Sequence, residues 1–196
     1  MTVINEDSYN KIASSFNASR KRSSVSTSVL TFTHSLKKGA HVLDVGCGSG
    51  IPITKYLVEK GMRVTGIDIS SQLLDLAASN VPQGKFVKVS ISAYQTDEKF
   101  DGIVAWDSLF HLQPHEHELV FEKLYKLLKE KGYLLFTHGG SKGQIIGEMY
   151  GEKFHYSSPG PENIKGLLKG LGFTTLEWEV DSLEANGYMI ALMGKV

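Results

Sequence analysis

The sequence predicts an α/β fold: a doubly wound, mostly parallel sheet with helices on both faces. Three observations carry this. From residue 41 onward, strand-length apolar runs alternate with segments of helical apolar spacing. A glycine-rich turn, HVLDVGCGSG (41–50), joins the first of those strands to a helix. The last two strands, 173–180 and 187–194, are too close for a parallel crossover, which takes about a dozen residues or more, so this pair is expected to be antiparallel.

The elements follow in order. Residues 8–17 and 25–36 carry helix-like spacing (Tyr9, Ile12, Ala13, Phe16; Val25, Val29, Leu30, Phe32) and predict two helices ahead of the main fold. The serine-rich piece 19–28 between them reads as the nearest thing to a linker, and its Arg20, Lys21 and Arg22 as a solvated turn. HVLDV (41–45) is a buried strand. The next helix has Pro52 near its first turn and Gly61 at its end. MRVTGID (62–68) is the second strand, and Ser70 caps the helix after it. Strands follow at 86–90, 100–106 and 133–138, with an amphipathic helix opened by Pro114 before the last of them. Residues 161–171 form a further helix. The stretch 139–160 between strand five and that helix reads as an insertion beside the ligand-binding edge, rich in aromatics (Tyr150, Phe154, Tyr156).

Composition narrows the function. The 196 residues suffice for a single domain with a full core. Lys+Arg and Asp+Glu balance at 21 each, a poor match to a nucleic-acid binder. No apolar run reaches membrane length, and the N-terminus has no secretory pattern, so a cytoplasmic protein is expected. The single cysteine, Cys47, allows no intramolecular disulfide.

The glycine turn admits several readings. A phosphate loop needs a GK[ST] ending, and no lysine follows here. The dinucleotide fingerprint from Gly46 would need a third glycine where Ile51 stands. A loop for an amino-acid-like ligand carrying a ribose, or a tight turn with no ligand, stays open. The second strand favours a ligand. It ends in Asp68, one βαβ unit onward, where an acid can accept from both ribose hydroxyls.

At this point the sequence resembles the class I S-adenosylmethionine-dependent methyltransferases, in particular the small-molecule enzymes of the type-11/type-25 group. HVLDVGCGSG, VTGIDIS, FDGIVAWDSLFHL and LLKEKGYLLFTHGG match four motifs of that family in order. The resemblance implies a seven-stranded sheet of order 3-2-1-4-5-7-6, with strand seven antiparallel. It implies S-adenosyl-L-methionine as cofactor. Gly46, Gly48 and Gly50 would let the loop approach its methionine part, with Cys47 a small packed residue among them. Asp44 would lie beside the ammonium group. Asp68 would hold the ribose, and Ile69 would pack on the adenine. Ser90 and Ile91 stand where the family often has an acid and an apolar residue, so Ser90 departs from the pattern. Trp106 and Asp107 would line the boundary between cofactor and substrate.

The resemblance also places residues 1–36 as a helical cap over the cofactor, with Tyr9 reaching across it, and 139–160 as a wall of the acceptor pocket. Methyl transfer from an activated sulfonium asks the protein mainly to position the acceptor. His111 is the candidate base or hydrogen-bond partner, and Asp107 the candidate to orient an amine, with local packing roles as the alternatives. His138 ends strand five at the same edge. HLQPHEHE (111–118) reads as a helix start rather than a metal site, because His115 and His117 do not share a helical face. The expected acceptor is a small molecule. The rival classes are a non-catalytic cofactor-binding module and a nicotinamide-dependent oxidoreductase.

Overall fold

The structure is a computed structural model that describes residues 3–181 and 188–195. Two helices come first, α1 (Val3–Arg20) and α2 (Thr27–Ser35). Then come β1 (His41–Val45), α3 (Ile53–Glu59), β2 (Arg63–Asp68), α4 (Ser71–Asn80), β3 (Lys85–Lys88) and β4 (Phe100–Ala105). After two 3₁₀ turns, Leu109–His111 and Pro114–Glu116, the chain forms α5 (His117–Leu127) and β5 (Leu128–Gly139). A hairpin of β6 (Gly143–Met149) and β7 (Glu152–Ser158) follows, then α6 (Pro161–Leu171), β8 (Phe173–Asp181) and β9 (Tyr188–Lys195).

The main sheet runs β3-β2-β1-β4-β5-β9-β8. Its strands pair in parallel except β9, which is antiparallel to both β5 and β8. With the β6–β7 hairpin set aside as a separate two-stranded sheet, this is the expected order 3-2-1-4-5-7-6. The residues joining β8 to β9 lie outside those described.

Alternation along the strands builds two cores. Leu43, Ile103 and Leu134 face one side and pack with Phe121 and Leu124 of α5 and Ile164 and Leu168 of α6. Val42, Val104 and Leu135 face the other and pack with Val29 and Phe32 of α2 and Leu57 of α3. Such two-sided burial favours strands that are mostly apolar, and β1 is buried along its whole length, His41 and Asp44 included.

Local expectations were met with some differences. Ser70 caps α4 by accepting from the Leu73 N–H. Pro114 opens a 3₁₀ turn rather than the α-helix itself, which starts at His117. The first helix is longer than its apolar spacing suggests, because polar residues at both of its ends are also docked on the body. The insertion 139–160 is largely a regular hairpin. Among the described residues, no helix is long and apolar enough to cross a membrane.

Candidate functional site

A cleft of about 790 Å³, measured to its open mouth, lies at the carboxyl ends of β1, β2 and β4 with α1 as its roof. This is where open parallel sheets bind ligands, because strand order reverses between β1 and β4.

The glycine turn forms its floor. Gly46, Gly48 and Gly50 all have positive φ, at 73°, 55° and 76°. They serve different neighbours. A Cβ on Gly46 would collide with Ser108, and one on Gly48 would touch Phe16 of α1. Gly50 is set away from the cleft, with its open side against Ala77 and Val81 of the neighbouring α4 segment. Of the three glycines expected to face a ligand, Gly46 and Gly48 line the cleft and Gly50 does not. Cys47 lines it too, and its buried sulfur occupies the space left by Gly66, where a Cβ would come within 2.8 Å. Burial and the nearby carboxylates Asp44 and Asp68 push its thiol well up, so it is no thiolate nucleophile.

The turn's N–H groups point inward. Those of Gly46 and Cys47 donate to the Ile67 carbonyl, that of Gly50 to the Cys47 carbonyl, and that of Gly48 to Asp68 Oδ2 at 2.9 Å. A nest for phosphate needs such groups free and aimed at the ligand. Here they are spent on the protein.

The charges point the same way. The cleft is lined by three carboxylates (Asp44, Asp68, Asp107) and one cation, Arg20. Asp44 is buried and accepts from the Thr54 hydroxyl. Burial pushes its pKa up to about 7 against that hydrogen bond, and Asp68 adds to the rise. Asp68 is raised by burial despite accepting from the Ser70 and Gly48 N–H groups. Ile69, Leu73, Val89 and Ile91 make the adjoining wall apolar, with Ser90 among them. A cationic centre near Asp44, a diol at Asp68 and a flat apolar ring between the isoleucines match this surface. A polyphosphate does not.

The roof is docked by polar bonds. Asn10 Oδ1 accepts from the Ser70 hydroxyl at 2.7 Å, and Asn80 Nδ2 donates to Asn17. Arg20 Nη2 donates to Asp107 Oδ2 at 3.2 Å and lies over the Phe16 ring. Asp107 itself has φ 51°. Its Oδ1 accepts from the Thr137 and Tyr188 hydroxyls. Trp106 lines the same wall.

Tyr9 and His111 meet in the lining of the cleft. The Tyr9 hydroxyl and His111 Nε2 are 2.9 Å apart, and His111 Nδ1 lies 2.9 Å from the His155 carbonyl. A carbonyl only accepts, so Nδ1 carries the proton, Nε2 is bare, and Tyr9 is the donor. Burial lowers the His111 pKa to about 4 and keeps the ring neutral; it also raises that of Tyr9.

His138 and His117 belong to a different arrangement. The Gly139 N–H donates to His138 Nδ1, which fixes His138 Nε2–H as donor to His117 Nδ1 at 3.3 Å. His117 Nε2–H then donates to Ser157, and Ser157 to the Leu112 carbonyl. All three side chains are buried, and burial lowers the histidines to about 3 and about 4. This line ties β5, α5 and β7 together. Among the described residues, no group of three His, Cys, Asp or Glu is placed to hold a metal ion.

A second, larger hollow of about 1340 Å³, measured in the same way to its open mouth, lies under the hairpin, with Phe110, Tyr156, Tyr188, Ile145 and Lys142 among its lining. It abuts the cleft: Tyr188 bonds Asp107, and the Tyr156 ring lies 4.8 Å from that of His111. The hairpin does not line the cleft itself.

The structure thus brings together Tyr9, Asp44, Gly46, Cys47, Gly48, Asp68, Ile69, Ser90, Ile91, Trp106, Asp107 and His111, and leaves Gly50 outside. Arg20, Phe16, Ser108, Thr137 and Tyr188 escaped the sequence reading. Only the basic cluster at 20–22 gave any signal, and it reads as a solvated turn.

The fold is shared with class I S-adenosylmethionine-dependent methyltransferases. Within the chain, residues 42–132 match the family described as "Methyltransferase domain". A putative methyltransferase, YqeM, of Bacillus subtilis is 32% identical over 108 residues, covering 52% of this chain and 43% of that protein. Phosphoethanolamine N-methyltransferase 2 of Caenorhabditis elegans is 32% identical over 123 residues, covering 60% and 26%. The chain therefore spans less than half the length of these relatives. In solved structures, the fold matches an S-adenosylmethionine-dependent methyltransferase of Methanosarcina mazei (TM-score 0.75, 21% identity, 89% and 99% covered). It also matches a Burkholderia thailandensis 1,6-didemethyltoxoflavin-N1-methyltransferase with bound 1,6-didemethyltoxoflavin and S-adenosylhomocysteine (TM-score 0.68, 21% identity, 100% and 92% covered).

Proposed function

We propose that the chain holds S-adenosyl-L-methionine in the cleft under α1 and transfers its methyl group to a small-molecule acceptor. The carrying observation is the cleft's charge: three carboxylates against one guanidinium, over a glycine turn whose N–H groups face inward. The cofactor supplies an electrophilic methyl on a sulfonium, so the chain's own work is binding, orientation and exclusion of water.

Asp44 and the turn at Gly46–Gly48 hold the cationic amino-acid end. Asp68 takes the ribose hydroxyls with the carboxylate lone pairs that Gly48 and Ser70 leave free. Ile69 and Ile91 flank the adenine, with Ser90 beside it. Residues of α1 close the roof, and Tyr9, Asp107 and His111 face the acceptor. The β6–β7 hairpin and the second hollow make the wall against which the body of the acceptor rests. The relatives named for phosphoethanolamine and for a toxoflavin precursor act on small molecules, which agrees with a chain of balanced charge.

The test is calorimetric titration with S-adenosylhomocysteine on the wild type, Asp68→Asn and Asp68→Ala. Asp68→Asn keeps an acceptor for Gly48 while removing the charge. Binding weakened by about 100-fold or more in Asp68→Ala, the size of two charge-assisted hydrogen bonds, supports the reading. A folded wild type that binds NADH and not S-adenosylhomocysteine overturns it. Tight binding with no methyl transfer to any of a broad acceptor panel favours a non-catalytic cofactor-binding module.

A further inference from the structure

Asn5 lies 150 residues from His155 in sequence and is fully buried against it. Its Nδ2 donates to the His155 carbonyl at 3.0 Å, and its Oδ1 accepts from the His155 N–H at 2.8 Å. The backbone groups have fixed polarity, so the orientation of the Asn5 amide is fixed too. The side chain pairs with the 155 peptide on the edge of β7 that β6 leaves open. Ser8 of the same helix reinforces the dock through the Lys153 carbonyl at 2.7 Å.

The His155 carbonyl also takes the His111 Nδ1 proton at 2.9 Å. It is therefore the joint between Asn5 and the Tyr9–His111 pair. Were His111 protonated at Nε2 instead, its Nδ1 lone pair would face the carbonyl oxygen in a buried site, and both groups would lose their bond.

We propose that Asn5 is a positioning residue. By clamping the 155 peptide it holds His111 in the Nδ1–H form, so that bare Nε2 keeps the Tyr9 proton and the phenol oxygen turns its lone pairs toward the acceptor. Tyr9 is then the group that meets an acceptor O–H or N–H, and His111 acts behind it. The part of this that concerns catalysis rests on the methyltransferase reading; the part that concerns the tautomer does not.

The experiment is two-bond ¹H–¹⁵N correlation on protein labelled with ¹⁵N-histidine at pH 7, with His111→Gln to assign the signal. Wild type is expected to show His111 protonated at Nδ1. Asn5→Ala is expected to shift the Nδ1–H to Nε2–H ratio by about tenfold toward Nε2–H, the order of one hydrogen bond. Asn5→Asp, which can still accept from the 155 N–H but when ionised sets an oxygen against the carbonyl, is expected to shift the ratio at least as far as Asn5→Ala. S-adenosylhomocysteine affinity, measured on the same samples, should change by less than about threefold, since Asn5 does not line the cleft.

A wild-type His111 protonated at Nε2 overturns the proposal, whether or not the variants fold. So does an Nδ1–H form unchanged in a folded Asn5→Ala. A tautomer that moves as expected in a protein that does not bind S-adenosylhomocysteine would sink the methyltransferase reading and leave the clamp standing.

Discussion

A Cβ placed on Gly46 would stand 2.4 Å from the Cβ of Ser108. Ser108 cannot retreat easily, because its hydroxyl donates to the Val45 carbonyl at 2.7 Å and thereby ties the β4 loop to the end of β1. Gly46→Ala therefore meets both a left-handed backbone and a buried side chain. We expect it to lose about 2–4 kcal/mol of stability, the sum of the conformational cost and overpacking. Gly48→Ala, whose Cβ would meet only Phe16 at 3.4 Å, should lose about 1–2 kcal/mol. Urea denaturation of the two variants distinguishes them, and equal losses would contradict the close approach.

Cofactor binding should depend on pH through Asp44. Its pKa of about 7 in the free protein reflects burial first, with Asp68 adding to it. A cationic ligand beside Asp44 favours the ionised form, so binding releases a proton near neutral pH. Affinity for S-adenosylhomocysteine is expected to rise between pH 6 and pH 8, and Asp44→Asn to flatten that rise. Calorimetry in buffers of differing ionisation enthalpy reads the proton directly.

Acid should unfold the protein early. His111, His117 and His138 are held near 4, 4 and 3 by burial, all below the ordinary 6.5. Below that ordinary value the unfolded chain binds protons that the folded one refuses, so stability falls as pH drops from about 6.5 toward 4. Asp44 acts in the opposite sense between about 4 and 7, because its folded pKa is raised, and Asp68 shares that direction. The three histidines are expected to outweigh them. A melting temperature lower at pH 5 than at pH 7 confirms the sign, and the reverse refutes it.

The hairpin offers a way to separate acceptor from cofactor. At Gly147 a Cβ would approach the Tyr156 ring to 2.9 Å. Gly147→Leu should push that ring into the second hollow. We expect S-adenosylhomocysteine affinity to stay within about threefold while the acceptor KM rises about tenfold, the scale of one displaced aromatic contact. Equal loss of both would place the hairpin's influence on the cofactor instead.

Much of this was legible in the sequence because it is local. Strand periods, the glycine turn and the acid closing β2 each sit within a few residues of one another. The antiparallel last pair followed from a connection too short to cross the sheet. The hairpin was less readable. Its two-residue turn, Tyr150–Gly151, has positive φ at both positions (52° and 79°), yet tyrosine replaces the usual asparagine or aspartate of such a turn. Arg20 reads as part of a solvated turn because nothing in 19–28 announces Asp107, 87 residues away. Gly50 was over-read for the opposite reason: a motif gives the order of its glycines, not the direction each one faces. Asn5 carries no signal at all, since a side chain that mimics a neighbouring strand does so only once β7 is in place.

The position of β9 has a consequence for how the chain can be assembled. It lies between β5 and β8, pairing along seven residues of one and eight of the other. Until residues 188–195 leave the ribosome, the edge of β5 has no partner and β8 has nothing to attach to. An incomplete chain would therefore carry an unpaired strand edge of free N–H and C=O groups, which neighbouring nascent chains can seize. The sheet is thus joined from within, by a strand that follows both of its neighbours in the chain.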